Sequence, residues 1–218
     1  SAAMRHRRAR TAGPAAANEV RPGRVISGHE LRELIEQHFN RVPSAAVHTQ
    51  FNLVDSHDVT RLHNHEAIFH WELYAGAVTL LALLPGTFSV YYGDEVGIDG
   101  TLDGDHGKRY PMPWDEREWD PRFRELYRRL IGLKRSHEAL HTGSYRVLEA
   151  GDDYLVFARF TTRQAVVLVL SRAGVSRSLR LDLAALRARS SAVLPGAGTA
   201  EPDGDRAAVP LPAPTRLL

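Results

Sequence analysis

Near the start of the chain, apolar residues recur at helical spacing. Between residues 27 and 43 these residues and one histidine fall every third or fourth position, the pattern of a helix with one buried face. They are Leu31, Leu34, Ile35, His38 and Phe39. Ser27 and Glu30 have the spacing of a capping box, and Pro43 is a helix stop signal. The pattern therefore predicts a first helix within residues 27 to 43.

The next part of the chain combines short apolar runs with longer helical patterns. Residues 48 to 56, HTQFNLVDS, and residues 86 to 95, GTFSVYYGDE, predict buried strands, the first covered on both faces. Residues 66 to 84 predict a long, largely buried helix between them. Asp120 as N-cap and Pro121 in the first turn predict another helix. Its apolar stripe would be Phe123, Leu126, Tyr127, Leu130 and Leu133. This order of elements indicates two βα units of an α/β protein.

Beyond residue 143 the pattern changes to short strands. The segments YRVLEA, YLVFARF, AVVLVLS and SLRLDL are separated by turn-rich breaks and predict an antiparallel sheet. Roughly the last 30 residues are rich in Ala, Gly and Pro and predict one or two weak strands. We therefore predict a disordered basic tail at residues 1 to 26, an α/β part at residues 27 to 142, and a β-sheet domain at residues 143 to 218.

Charge is distributed unevenly along the 218 residues. The net charge is +2 and the isoelectric point is about 9.1. Residues 1 to 24 hold six arginines against one glutamate, a balance of +5, which leaves −3 for the remainder. Because the folded part is slightly acidic, we expect no nucleic-acid partner. Residues 1 to 3 resemble a cloning scar, so Met4 is expected to open the natural reading frame.

Two absences restrict the class of protein further. The chain has no Cys, which excludes disulfides and thiolate metal sites and predicts a reducing, cytoplasmic location. Its longest apolar run, AGAVTLLALLPG, is broken by Pro85 and Gly86. This run is shorter than the roughly 18 to 20 residues of a membrane span, so we expect no membrane association.

Chemically active side chains cluster at the ends of both predicted strands of the α/β part. The first strand runs into VDSHD, which contains Asp55, His57 and Asp58, and the second runs into YYGDE. Asp and Ser are also ordinary turn residues, so a polar turn without a catalytic role remains an alternative interpretation of these segments.

Four separated stretches occur together in one order: FNLVDSHDVTR, LLALLPGTFSVYYGDEVGI, DGDHGKRYPMPWD and YRRLIGLKRSHEAL. In this order and spacing, over roughly residues 28 to 185, the chain resembles the C-terminal half of alpha-amylase superfamily glycoside hydrolases, especially the neopullulanase and cyclomaltodextrinase group. The resemblance implies the last two βα units of a (β/α)8 TIM barrel, followed by an antiparallel β-sandwich. It places the two acid clusters at the carboxyl ends of strands seven and eight, where such barrels have their active sites.

The resemblance also implies roles for four residues and an α-glucan oligosaccharide as their ligand. Asp58 matches the family's third catalytic acid, which binds sugar hydroxyls and stabilises the transition state, and His57 matches its substrate-binding histidine. Asp105 and Arg109 match an acid and an arginine that contact the next sugar outward, although this chain has RYPM where the family has RPM. A plain exposed ion pair between these last two stays the alternative.

We expect no cofactor. Asp99, Asp103 and Asp105 could hold calcium, and His63, His65 and His70 could form a second metal site. The acidic trio lacks the ligand set of an EF-hand loop, so a solvated acidic turn is the preferred interpretation. Helical spacing places only two of the histidines near one face, and no acid completes a ligand set.

The resemblance implies that much of the enzyme is missing from this chain, because a complete barrel takes about 250 residues. The nucleophile and the general acid would follow the fourth and fifth strands. Residues 180 to 182, RLD, imitate the nucleophile motif but lie in the sheet domain. We therefore expect the isolated chain, as a truncated gene or half of a split enzyme, to hydrolyse no α-glucan. The alternative is a non-catalytic sugar-binding or interaction module.

Association is a further expectation. Two barrel strands with open edges and uncovered apolar faces aggregate unless another chain pairs with them. We therefore expect either a homo-oligomer or a complex with a complementing N-terminal half.

Overall fold

The computed structural model describes residues 25–64, 70–100 and 107–172 in full, and the backbone of three later strands. The helices are α1 Gly28–Arg41, α2 Ser44–Val47, α3 Trp71–Leu83, α4 Pro121–Ser136 and α5 Glu138–His141. The strands are β1 Phe51–Asn52, β2 Thr87–Phe88, β3 Ser144–Ala150, β4 Tyr154–Phe160, β5 Ala165–Ser171, β6 Ser178–Asp182, β7 Glu201–Asp203 and β8 Arg206–Pro210. Except for Val25 and Ile26, the predicted basic tail lies outside the described residues.

The first helix begins as its capping box predicts. The amide of Glu30 donates to Ser27 Oγ at 3.1 Å, and the amide of Ser27 donates to Glu30 Oε2 at 2.9 Å. Ile35 and Phe39 are buried on one face. The prediction that Leu34 also belongs to that face is wrong, because its side chain is 54% exposed. Spacing identifies the helix but not how wide a stripe the neighbouring elements cover.

Strands β1 and β2 form a parallel pair, with Phe51 opposite Thr87 and Asn52 opposite Phe88. Both are much shorter than predicted. Phe51 is 72% exposed and Leu53 is 44% exposed, so the expectation of a strand covered on both faces is wrong for these residues. Within the described part of the chain this sheet has two strands, and no third strand covers the outer side of β1.

Two helices accompany this pair. The predicted helix over residues 66 to 84 does not run unbroken, because His70 is extended, with φ −127° and ψ 129°, and α3 begins at Trp71. Residues 65 to 69 lie outside the described part. The α4 prediction is confirmed: Asp120 accepts from the amide of Arg122 at 2.8 Å, and Pro121 occupies the first turn. Its predicted stripe faces the core, with Phe123, Tyr127 and Leu130 fully buried and Leu126 and Leu133 partly buried.

The later strands pair antiparallel, as predicted, but they form two sheets, and the predicted strand SLRLDL belongs to the second. One has the order β3-β4-β5 and the other β6-β8-β7. The register of β3 on β4 shifts between Val147 and Glu149, which marks a bulge. The division of the chain at residue 143 stays a prediction.

Helices and the first antiparallel sheet share one apolar core. Its fully buried members come from α1, α3, α4, α5 and all three strands of that sheet: Ile35, Phe39, Tyr74, Val78, Ala82, Leu83, Phe123, Tyr127, Leu130, Ala139, Leu140, Val147, Leu155, Phe157 and Val166. Two of these members, Tyr74 and Tyr127, share a hydrogen bond of 2.9 Å between their hydroxyls. Phe88 of β2 is partly buried against this core, which connects the parallel pair to it. Among the described helices, none has the length and apolar character that crossing a bilayer requires.

Candidate sugar-binding site

Two loops leave the same edge of the parallel sheet. One follows β1 and carries His57 and Asp58, and the other follows β2 and carries Tyr91 and Tyr92. Because the carboxyl ends of parallel strands meet at one edge, the loops lie side by side. A third segment, residues 107 to 110, crosses them.

His57 and Asp58 form a pair that is open to solvent. His57 Nε2 lies 3.2 Å from Asp58 Oδ1, and the side chains are 59% and 70% exposed. The amide of Asp58 donates to Ser56 Oγ at 3.2 Å, a local Ser turn that shapes this part of the loop. Neither group is sealed inside the protein, so both can reach a ligand.

The crossing segment brings Arg109 to the same carboxylate. Arg109 Nη2 lies 3.9 Å from Asp58 Oδ1. Lys108 Nζ donates to the backbone oxygen of Asp58 at 3.0 Å. The hydroxyls of Tyr91 and Tyr92 donate to the carbonyls of Lys108 and Tyr110 at 2.9 and 2.8 Å. The structure therefore brings together three of the four predicted site residues, His57, Asp58 and Arg109.

The next acids, toward residue 105, were predicted to contact sugar or calcium. Asp103 and Asp105 lie outside the described residues. Asp99, the third member, accepts from Asn64 Nδ2 at 3.0 Å. The role of Asp105 at the sugar and the calcium site therefore stay predictions.

Beneath the exposed pair lies a buried polar cluster that the sequence interpretation did not assign. Asp55, Arg61 and Asp94 are each at most 1% exposed. Arg61 Nη1 donates to Asp94 Oδ1 at 2.5 Å, and the amide of Leu62 donates to Asp55 Oδ1 at 2.8 Å. Gly93, with φ 86°, makes the left-handed turn just before Asp94. All three residues stand inside the segments VDSHDVTR and YYGDE, but neither segment indicates that they pair with one another.

Burial and the neighbouring Asp55 carboxyl raise the pKa of Asp94 from 3.8 to about 8. Arg61 supplies one positive charge, which neutralises one carboxylate. A second ionised carboxylate in this fully buried place would be an uncompensated charge, so the two acids hold a proton between them at neutral pH.

His63 closes the cluster on one side. Its Nε2 donates to the carbonyl of Ile98 at 2.8 Å, and its ring meets Phe123 edge-on at 5.0 Å between centroids. Burial lowers the pKa of His63, which favours the neutral ring. Asp55, His63 and Asp94 are close enough to share a metal ion, with ligand atoms within 4.8 Å. The Arg61 guanidinium already supplies the cation there, and we assign no metal to it.

The exposed part of the site suits a polyhydroxylated ligand. A carboxylate accepts hydrogen bonds from two neighbouring hydroxyls, while an imidazole and a guanidinium donate to ring or hydroxyl oxygens. Asp58, His57 and Arg109 supply this combination within one reachable patch.

No family model matches the sequence. Several curated proteins are similar to it in sequence. A cyclomaltodextrinase of a Bacillus species is 34% identical over 140 residues, which are 63% of this chain and 25% of the relative. Neopullulanase 2 of Thermoactinomyces vulgaris is 33% identical over 147 residues, which are 65% of this chain and 24% of the relative. The chain thus spans about a quarter of the length of these relatives.

A solved structure agrees. The debranching enzyme of Nostoc punctiforme, from crystals soaked in acarbose, is 28% identical to this chain and superposes on it with a TM-score of 0.71. The match covers 88% of this chain and 38% of the debranching enzyme. In sequence and fold the chain is therefore similar to glycoside hydrolases of the alpha-amylase superfamily. Its curated relatives lie in the cyclomaltodextrinase and neopullulanase group, so the resemblance is confirmed. They are enzymes, so the alternative of a non-catalytic module is not favoured.

Proposed function

We propose that this chain is the part of a retaining α-glucan hydrolase that binds the sugar and stabilises the transition state. The observation that carries the proposal is the exposed patch in which His57 and Arg109 both flank the Asp58 carboxylate, at 3.2 and 3.9 Å. The patch stands at the carboxyl edge of a parallel pair, which we interpret as strands seven and eight of a TIM barrel followed by a β-sandwich.

The chemistry assigns each group a role. Retaining cleavage passes through an oxocarbenium-like state, helped by hydrogen bonds to ring hydroxyls that strengthen as positive charge develops. Asp58 would accept those hydrogen bonds, and its charge would favour the cationic state. His57 would donate to an oxygen of the same sugar, and Arg109 with Asp105 would bind the next sugar outward.

The proposal leaves the isolated chain without a complete catalytic apparatus. Retaining enzymes need a nucleophile and a general acid about 5 to 5.5 Å apart, and in this interpretation both belong to barrel strands that precede β1. We therefore expect no release of reducing ends when the 218-residue chain is incubated with maltotriose, cyclomaltodextrin or pullulan. Release at an enzymatic rate would refute this part of the proposal.

The exposed side of β1 supports a partner. Phe51 and Leu53 present apolar side chains to solvent next to a strand edge with which no described strand pairs, an arrangement that favours pairing with another chain. We propose a complementing barrel half or a second copy in that position. Light scattering at micromolar concentration should then give a mass above that of the 24.3 kDa chain, and a monomeric mass would count against it.

Calorimetry with maltotriose tests the sugar site directly. The wild-type chain should bind, and Asp58→Ala should abolish the heat of binding. Asp153→Ala is the matched control, because Asp153 is also exposed and pairs with an arginine, Arg172, but lies in the antiparallel sheet region. Binding that is indifferent to Asp58, or equally weakened by the control, would refute the role of Asp58. No cofactor enters this proposal, and a cytoplasmic location stays a prediction.

A further inference from the structure

The buried Arg61 side chain contacts both loops that form the site. It belongs to the loop after β1, yet its Nη1 donates to Asp94 Oδ1 at 2.5 Å and its Nη2 donates to the carbonyl of Tyr92 at 2.8 Å. Its guanidinium also lies over the Tyr91 ring, 4.6 Å from the centroid. One side chain thus fixes the loop after β2 to the loop after β1.

The two ends of the loop that carries His57 and Asp58 are joined by a hydrogen bond. Asp55 at its start accepts from the amide of Leu62 at 2.8 Å. Arg61 precedes Leu62 directly, so the two ends of the loop meet at the buried cluster. The exposed pair lies between these ends.

The contacts continue through the crossing segment and return to Asp58. Tyr91 and Tyr92, which Arg61 contacts from beneath, donate their hydroxyls to the backbone of residues 108 and 110. Lys108 then donates to the Asp58 carbonyl at 3.0 Å. Asp58 and Arg109 are therefore held in place from two sides.

Stability alone is a poor reason for this arrangement. A buried ion pair often contributes no more than apolar residues of the same volume, because both ions lose their hydration. What a guanidinium adds is direction: its planar fork binds two acceptors at fixed angles. Loops need such fixing if the groups they carry are to meet a ligand at defined positions.

We propose that Arg61 is a positioning residue, which holds the loops after β1 and β2 in register so that His57, Asp58 and Arg109 face one ligand together. The sugar-binding consequence rests on the proposed function; the positioning itself does not. Arg61 touches no ligand in this scheme and acts through Tyr91, Tyr92 and Asp94.

The test compares Arg61→Lys with Arg159→Lys. Both arginines are fully buried, but Arg159 donates to the carbonyls of Gly143 and Leu83 at the helix–sheet boundary. Lysine keeps the charge and loses the fork. The readouts are the NMR signals of the His57 ring and the Asp58 amide, the affinity for maltotriose, and the unfolding midpoint.

We expect both variants to lower the unfolding midpoint, but only Arg61→Lys to shift or broaden the His57 and Asp58 signals. It should also weaken maltotriose binding by about tenfold, the size of effect that removing an orienting partner has at metal sites. Unchanged signals in Arg61→Lys, or equal changes in both variants, would overturn the proposal.

A second variant guards against failure to fold. Asp94→Asn keeps the shape of the side chain and removes the carboxyl group that binds Arg61 and shares a proton with Asp55, so it should move the same His57 and Asp58 signals in a folded protein. If it leaves them at wild-type positions, Arg61 does not position the loops. If the wild-type chain binds no maltotriose, the proposed function fails, and the NMR comparison still decides the role of Arg61.

Discussion

Arg61 and Arg159 are both completely buried, yet their guanidinium groups have different kinds of hydrogen-bond partners. Arg61, under the candidate site, pairs with the Asp94 carboxylate beside a second acid, Asp55. Arg159, in strand β4 of the antiparallel sheet, binds only backbone carbonyls among its described hydrogen-bond partners, and burial lowers its pKa to about 10. The buried arginine of the site region is thus paired with a carboxylate, whereas the buried arginine of the sheet region binds backbone carbonyls.

The partners of Arg159 explain why no carboxylate is needed there. It donates to Leu83 at the end of α3, and Lys134 Nζ donates to the neighbouring carbonyl of Ala82 at 2.9 Å. The last carbonyls of a helix lack intrahelical donors and carry partial negative charge, so cations bind them favourably. The carbonyls at the end of α3 therefore bind the Arg159 guanidinium where a carboxylate would otherwise be needed.

The largest expected effect concerns apolar packing in the sheet region. Phe157 is fully buried in the shared core, so Phe157→Ala should lower the free energy of unfolding by about 3 to 5 kcal/mol. Truncation of the exposed Trp114 in Trp114→Ala should change it by less than about 0.5 kcal/mol. Urea unfolding monitored by circular dichroism measures both, and equal losses would contradict the assignment of the core.

The two arginines themselves give the next prediction. Arg61→Met leaves the buried carboxyls without their cation and should cost about 3 kcal/mol at pH 8. Arg159→Met leaves carbonyls without donors and should cost about 1 to 3 kcal/mol. The cost at Arg61 should shrink at pH 5, where both carboxyls can take up protons, and the cost at Arg159 should not. Urea unfolding at both pH values is the measurement; parallel pH behaviour would contradict the contrast.

The pH dependence of stability follows from the raised pKa of Asp94. A carboxyl with a pKa of about 8 when folded and 3.8 when unfolded binds its proton more tightly in the folded chain. Its contribution to stability therefore falls as pH rises from about 4 to 8 and is lost above that. Asp55→Asn leaves one carboxylate for Arg61 and should flatten this dependence.

Asp55→Asn is compared with the wild type at each pH, so the contribution of Lys134 to the pH dependence of stability cancels. Burial lowers the pKa of Lys134 to about 8, and its effect has the opposite sign at higher pH. The same slope in both proteins between pH 5 and 8 would show that Asp55 and Asp94 do not share a proton.

The smallest effect lies outside both regions. Ser27→Ala removes the oxygen that caps α1, which should cost about 1 kcal/mol. Thermal unfolding of Ser27→Ala against Ser27→Thr, which keeps the hydroxyl, tests it. Equal losses in the two variants would mean that the cap hydrogen bond contributes nothing.

Local signals in the sequence predicted most of the fold. The caps of α1 and α4 depend on residues three or fewer positions apart, and the strands of the first antiparallel sheet carry long apolar runs. The exposure of Leu34, Phe51 and Leu53 could not be predicted, because it depends on which other elements cover each face. The extended conformation of His70 likewise has no local Pro or Gly signal.

In the candidate site, too, some residues could be predicted from local motifs and others could not. The resemblance identified His57, Asp58 and Arg109 from their motifs, and the structure places them side by side. It did not identify the cluster of Asp55, Arg61 and Asp94, because a buried ion pair between residues 33 positions apart has no local pattern. Only the parallel pairing of β1 and β2 brings these residues together.

An NMR titration of the isotopically labelled chain with maltotriose tests the central claim most directly. We expect saturable shifts at His57, Asp58 and Arg109, no comparable shifts in the antiparallel sheet region, and their loss in Asp58→Ala. Saturable shifts confined to other residues, or none at millimolar sugar, would contradict the assignment of this edge of the parallel sheet as a sugar-binding site.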